Sequence, residues 1–402
     1  MTQSAGFPPP GRKNPPRAPH APVLGLSSGP RARDNPASVL LYAHIPFCHR
    51  VCPYCSFYKH TPGGTAIGAF VAALTAEAAR RLPQCATRPR TLYLGGGTPS
   101  MLSPRHLRQL FTALHGLLDF PALDEVTLEA NPATFDAAKA RLFRDCGVTR
   151  VSLGIQSFAP HVLATLGREH GVAQALESVA ILREAGIPSV NIDLMFSIPG
   201  QSRADWQATL EQAIALAPDH VSAYNLTYEE DTAFFESLRR GEVREDEDHN
   251  AELFQLADTL LTAAGYDHYE TSNYARPGHH SRHNQGYWQG EDYLGLGPSA
   301  VSTLDGIRHV NSSNTDQYVS MIKAVGQAVV EAEVVSGEAR RIERIALGLR
   351  TSAGIPLWLL DAGALERARG LASEGLARIA EGRLQLVNQG RALVDPIAAE
   401  LI

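Results

Sequence analysis

The stretch "HIPFCHRVCPYCSFYKH", residues 44–60, places Cys48, Cys52 and Cys55, three of the chain's five cysteines, within eight residues. It begins inside an apolar run of strand character, "VLLYAHI" (39–45), and is followed by helical spacing in "AIGAFVAALTAEAARRL" (66–82). Reactive side chains therefore sit just past a strand, on the way into a helix.

The same succession recurs down the chain. "TLYLGG" (91–96) precedes "SPRHLRQLFTALHGLL" (103–118), which opens on a Ser-Pro helix start. "EVTLEAN" (125–131) precedes "FDAAKARLFRDCG" (135–147), "RVSLGIQSF" (150–158) precedes a helical run to Glu184, and "SVNIDLMF" (189–196) precedes "RADWQATLEQAIALA" (203–217). "HVSAYNLT" (220–227) is followed by helical segments to about Ala264. Such alternation predicts an α/β fold with a parallel sheet and right-handed crossovers. An open doubly wound sheet competes with a barrel. Each unit carries a polar or glycine signal at its strand's C-terminal end: the cysteines, "GGGTPS" (95–100), Glu129, Gln156, Asp193 and Tyr224. A barrel gathers strand ends around one mouth, whereas an open sheet spreads them along an edge. The reading is a partial (β/α)6, TIM-like barrel over 38–267.

The flanking segments differ. Residues 1–37 hold nine of the 26 prolines and read as a disordered, proline-rich leader. Residues 268–336 read as a loop-like, histidine- and aromatic-rich connecting region ("HYETSNYARPGHHSRHNQGYWQGEDYLGLGPSA"). Residues 337–402 read as helices followed by a hairpin around Asn388-Gln389-Gly390, a small α+β, winged-helix-like domain. Its nine arginines against eight acids, with no lysine, are too weak a basic excess for a phosphate-binding face.

A net charge of −6, with 44% hydrophobic and 19% charged residues, argues against a nucleic-acid-wrapping protein. The sequence contains no spanning apolar run and no secretory apolar region, so a cytoplasmic location is expected. Five cysteines, three of them clustered, fit a metal site in a reducing compartment better than a disulfide framework.

Structural zinc wants four N/S ligands, and here His44 or His49 would have to complete the set. A redox C-x-x-C has no place for a third cysteine. Cys85 and Cys146 are expected as apolar fillers in or near helices. A [4Fe–4S] cluster is the better account: three thiolates hold three irons and leave the fourth open to an exchangeable ligand. Aromatic flanks at Phe47, Tyr54, Phe57 and Tyr58 would keep it dry.

C-x3-C-x2-C after the first strand of such a barrel resembles the signature of radical S-adenosylmethionine (SAM) proteins. The resemblance implies that SAM chelates the open iron. It places Gly96, Gly97 and Thr98 at the SAM amino group, with Glu129, Gln156, Arg168 and Asp193 as its ribose, amino or carboxylate contacts. Tyr42 and Tyr54 become further SAM neighbours. The run "YAHIPFC", "GGGTPS", "EANP", "LGIQSF", "IDLMFSIPGQ", "AYNLTYEE" and "HNQGYW" resembles the oxygen-independent coproporphyrinogen III oxidase group over roughly 39–360. The oxidases of that group resemble C-x3-C-x2-C-x-C, whereas this chain has Phe57 at the fourth position.

His283-Asn284-Gln285-Gly286-Tyr287-Trp288 instead resembles the H-N-x-x-Y-W mark of the group's haem-chaperone branch. That resemblance implies haem as a third cofactor near His283, Tyr287 and Trp288. His279 and His280 nearby read as alternative or additional iron ligands, or as exposed loop histidines. It also implies a haem-acceptor protein, an electron donor for the cluster and a homodimer as partners. A carrier is favoured over a catalyst; the alternative is a coproporphyrinogen-oxidising radical enzyme acting on a porphyrinogen. The segment "YLGLGPSAVST" (293–303), with Pro298 and no following histidine, departs from the family's "LGLGAGAHG"-like run.

Overall fold

The computed structural model describes residues 38–402, residue 65 excepted. The leader expected over 1–37 lies outside the described residues. Six strand–helix units follow in order: β1 (Val39–Ile45) with α1 (Ile67–Arg81), β2 (Pro89–Gly96) with α2 (Pro104–His115), and β3 (Glu125–Ala130) with α3 (Ala137–Asp145). Next come β4 (Arg150–Gln156) with α4 (Pro160–Thr165) and α5 (Val172–Glu184), and β5 (Ser189–Phe196) with α6 (Arg203–Ala215). The sixth is β6 (His220–Asn225) with α7 (Ala233–Arg239) and α8 (Glu247–Ala263). Consecutive strands pair in parallel throughout. The helices start where short polar side chains accept a backbone N–H three residues on, at Ser103, Asp136, Ser202, Thr232 and Asp246. Each such cap contributes about 1 kcal/mol.

Alternation along the strands separates two environments. Leu41, Leu92, Leu128, Val151, Ile192 and Val221 face the helices and share one core with Phe70, Phe111, Phe143 and Trp206. The opposite face carries Tyr42, Tyr93, Glu129, Ser152, Asp193 and Ser222: Tyr42 is in register with Tyr93, Glu129 with Ser152 and Asp193 with Ser222, and hydrogen bonds join Tyr93 to Glu129 and Ser152 to Asp193. The apolar core thus lies outside the strands, and the barrel's interior is polar.

The barrel does not close on itself. The chain continues through β7 (Asp267–Glu270), β8 (Asn273–Ala275), α9 (Arg282–Trp288), β9 (Asp292–Leu296), β10 (Val301–Leu304), β11 (Ile307–Asn311), α10 (Thr315–Val325) and β12 (Val329–Val334). β8 borders β6 and β9 borders β1, so the described residues form a twelve-stranded sheet in the order β12-β11-β10-β9-β1-β2-β3-β4-β5-β6-β8-β7. The expectation of a loop-like stretch after residue 267 is therefore corrected. Most of these strands are only three to five residues long, too short for an alternating pattern to stand out.

Residues 337–402 build a second core on α11 (Gly337–Gly348), β13 (Ile355–Pro356), α12 (Ala362–Ser373), β14 (Ala377–Ala380), β15 (Arg383–Leu386) and α13 (Val394–Leu401). Ile345, Ile355, Leu371, Leu384 and Leu401 meet there. The hairpin is not centred on Asn388-Gln389-Gly390. It joins β14 to β15 through Glu381 (φ 51°) and Gly382 (φ 71°), the paired positive-φ geometry of a tight hairpin turn. The chain after β15 turns helical because Val394, Ile397 and Leu401 are needed to close this core.

Candidate functional site

The cysteine loop is fastened at its base. The Cys48 N–H donates to the His60 carbonyl at 3.0 Å, and the His60 N–H donates to the Pro46 carbonyl at 2.8 Å. Phe47, fully buried, packs edge-on against Phe70 and His60. A second tether crosses the fold: Thr315, at the start of α10, meets the Tyr58 hydroxyl at 3.1 Å and His60 Nε2 at 2.8 Å. The three thiols are part-exposed. Burial raises the Cys48 and Cys55 thiols above the usual range, while Lys59 opposes the rise at both. Phe57 stands 68% exposed. His44 is no spare ligand, since Tyr42 occupies its Nδ1 at 3.0 Å and the Tyr58 carbonyl its Nε2 at 2.8 Å. Burial drives its imidazole down to about 4.

Strand ends two to four converge on this loop through one chain of contacts. Cys48 Sγ lies 3.5 Å from Thr98 Oγ1, which accepts from Asn131 Nδ2 at 3.0 Å. Asn131 Oδ1 accepts from Arg168 at 2.6 Å, and Arg168 also reaches the Gly154 carbonyl at 2.6 Å and Cys52 Sγ at 3.8 Å. Arg168 Nε is buried without a partner. Tyr54 packs beside Phe234, and the Arg168 charge opposes the rise that burial imposes on its hydroxyl.

The glycine motif makes its close approach to protein. A Cβ at Gly96 (φ +108°) would sit 2.5 Å from the His44 ring, and one at Gly97 would sit 2.7 Å from the Phe47 carbonyl oxygen. The Gly97 and Thr98 amides donate to the Ile45 and Phe47 carbonyls, each at 2.8 Å. One level deeper, Glu129 accepts from the Tyr93 hydroxyl at 2.7 Å and the Gly96 N–H at 3.0 Å. Burial, aided by nearby Asp193, pushes its carboxyl up to about 7. Asp193 itself accepts from Ser152 at 3.0 Å and Asn191 at 2.7 Å. Gln156 holds φ 71° at a register shift between β4 and β5, an uncommon conformation for a side chain of its size. Tyr42 stacks on Tyr93, with ring centroids 6.1 Å apart.

His283 lies elsewhere. It sits on α9, 1% exposed, with Nδ1 2.7 Å from Thr91 Oγ1 and its ring stacked on Tyr93 at 4.9 Å. Thr91 is near the start of β2, so His283 plugs the barrel's N-terminal half, away from the cysteine mouth. Its Nε2 is buried and unpartnered, and burial drives the imidazole down to about 3. Tyr287, one turn on, meets it edge-on and lies on the same face. Trp288 points away from that face into a cleft described below.

Comparison with known proteins bears on this geometry. Residues 42–213 match the Radical SAM superfamily model. The chain is 37% identical to the heme chaperone HemW of Mycobacterium tuberculosis over 90% of this chain and 94% of that one. The chain belongs to the HemW family of radical SAM proteins. It is also 32% identical to the mitochondrial radical S-adenosyl methionine domain-containing protein 1 of mouse, over 96% and 92% of the two chains. Its fold matches the solved coproporphyrinogen III oxidase HemN of Escherichia coli with a TM-score of 0.77, at 24% identity, over 91% and 90% of the two chains.

Membership of the radical SAM superfamily implies SAM and a [4Fe–4S] cluster. The residues fit them. Among the described residues no three His, Cys, Asp or Glu side chains converge on a point that one metal ion could occupy. A four-iron cluster instead takes each thiolate on a separate iron, which suits three cysteines spaced around a loop. Arg168 and Lys59 supply cationic neighbours, and the buried Arg168 Nε is an orphan donor beside that loop.

Sequence reasoning missed Asn131, Thr315 and Glu77. Asn131 lies within the quoted "EANP", two residues past Glu129. Glu77 is fully buried on α1, where it accepts from the Gly297 N–H, Asn311 and Tyr318 at 2.7–2.8 Å. It thereby fixes the departing "YLGLGPSA" segment against His44, whose carbonyl oxygen a Cβ at Gly297 would meet at 2.5 Å. Only helical periodicity out of phase at one position signalled it.

Proposed function

We propose that this protein binds haem and passes it to an acceptor protein, carrying a SAM-ligated [4Fe–4S] cluster. The observation that supports this most is that 37% identity to a protein named heme chaperone runs through 90% of the chain and 94% of that protein. The absence of a fourth cysteine agrees, since the position is an exposed Phe57.

Cys48, Cys52 and Cys55 would hold the cluster, which supplies single electrons when bound. Thr98, Asn131 and Arg168 orient the loop's sulfurs, and Arg168 offers a cation to a carboxylate. Burial lets Glu129 hold a proton up to about pH 7; a cationic amino group beside it would favour the ionised form. Asp193, held by Ser152 and Asn191, keeps its lone pairs directed at hydroxyl donors. The polar barrel interior binds and orients a charged cofactor while the outer core excludes water.

Haem titration of the anaerobically reconstituted chain, followed by mixing with an apo-haem protein, tests the reading. Saturation near one haem per chain and a spectral shift to the acceptor's form are expected. Absence of stoichiometric binding sinks it. A radical enzyme oxidising coproporphyrinogen is the second reading, favoured by the complete set of polar strand ends at the cysteine mouth. Decarboxylated product formed with SAM and a reductant would establish it.

A further inference from the structure

A cleft of about 1090 Å³ lies away from the cysteines. It lies at the opposite end of the barrel, where Val39 opens β1, and is closed on its far side by residues of the C-terminal unit. Six residues of rise along β1 separate the two mouths by about 20 Å. Its volume is at the upper end of the range for small-molecule sites, too large for an amino acid and sufficient for a macrocycle.

Its lining is sorted by chemistry. Trp288, from α9, and Trp358, from the C-terminal unit, present broad apolar rings. Trp358 is 62% exposed, a poor place for so large a side chain unless something covers it, and Arg344 lies over its ring at 4.9 Å. Trp288 Nε1 is buried without a hydrogen-bond partner. The C-terminal wall carries three guanidinium groups, Arg340, Arg344 and Arg383. Arg383 is held in place by the Ala353 and Gly354 carbonyls at 2.7 and 2.6 Å, neutral partners that leave its charge uncancelled. The barrel wall carries carboxylates, among them Glu291, which Arg90 already neutralises at 2.8 Å. An amphipathic, carboxylate-bearing plate would therefore enter with its acids toward the C-terminal unit.

The helix geometry explains how the H-N-x-x-Y-W motif divides. Residues four apart share a face, so His283 and Tyr287 point into the barrel while Gln285 and Trp288 line the cleft. We propose that this cleft is the docking site for the tetrapyrrole: Trp288 and Trp358 pack on its faces, and Arg340 and Arg383 receive its carboxylates. The proposal rests on the haem-binding reading above and deepens it. Fork-like arginine–carboxylate pairs and offset aromatic contacts carry the recognition; His283 is not exposed to the ligand, and His280, which lines the barrel side of the cleft, is secondary to those contacts. An iron-free macrocycle with the same carboxylates should consequently bind too.

The test uses the full reconstituted chain, titrated by absorbance and tryptophan fluorescence with haem and, separately, with protoporphyrin IX. Wild type is expected to bind both, and Arg340→Glu/Arg383→Glu is expected to weaken both at least tenfold. Trp358→Ala, which removes an exposed ring and leaves the fold intact, should weaken them about fivefold. Iron content and circular dichroism should stay at wild-type values. Wild-type binding that all these variants retain would overturn the cleft while leaving the haem reading standing. Binding of haem but not of protoporphyrin IX would overturn the recognition by arginines and tryptophans, since iron ligation, by His280 or another group, would then dominate. A wild type that binds neither overturns the haem reading itself.

Discussion

Gln156 is where local rules and the fold conflict most visibly. A long side chain at φ 71° costs about 1–2 kcal/mol, and nothing in β4 requires glycine there on packing grounds. Glycine at that position would relieve the strain but loses about 0.5–1 kcal/mol to unfolded-state entropy. Gln156→Gly is therefore expected to move apo-protein stability by less than about 1 kcal/mol while weakening SAM binding severalfold. Thermal melts with and without SAM separate the two effects; a variant that binds SAM normally would remove Gln156 from the site. The glycines of "GGGTPS" teach the reverse lesson. Their small size reads from the sequence as an approach to ligand, yet the surfaces they approach are the His44 ring and the cysteine-loop backbone.

Among elements, α9 shows how a short helix becomes a fixed part of the barrel. Seven residues make a marginal helix in isolation. Here Ser281 caps it, and the buried Glu125 carboxylate accepts from the Arg282 N–H at 2.9 Å and the His283 N–H at 3.2 Å. A carboxylate at a helix N-terminus is doubly favoured, by hydrogen bonding and by the dipole. Glu125→Ala is expected to cost about 2 kcal/mol and to speed hydrogen exchange across 282–288 before other segments. Unchanged protection there would show that packing alone holds α9. At the sheet's end, β12 is largely exposed, and Glu331 and Glu333 place charges along an edge that would otherwise invite strand pairing.

For the whole molecule, buried titratable groups set the response to pH. His44 and His170 are driven down to about 4 and His283 to about 3, in each case chiefly by burial, and His220 is lowered by the same cause. These imidazoles stay neutral in the fold at pH values where the unfolded chain binds protons. Their contribution is present above the ordinary histidine range and is lost as pH falls toward 4 and 3. Glu129 and Glu270, raised to about 7 by burial, act with the opposite sign: their contribution is present below the ordinary carboxylate range and fades as pH rises through 7. The histidines outnumber them. The apo-protein melting temperature is expected to be lower at pH 5 than at pH 7.5 by roughly 5 °C; a higher value at pH 5 would mean that the buried carboxylates dominate.

What the sequence determined by itself was the succession of strands and helices in the barrel and the chemistry at each strand end. β1 and β5 fall on the very residues their apolar runs marked, because period and length are local properties. Cys48, Cys52 and Cys55 were legible for the same reason: their spacing lies within one loop. Only the tertiary structure decided which faces meet. It joined Asn131 to Thr98 and Arg168 across three strands, brought Thr315 onto the cysteine loop from more than 250 residues away, and turned His283 inward while Trp288 faced the cleft. Such pairings depend on sheet curvature and on which elements cover which, and a linear pattern of residues does not encode either.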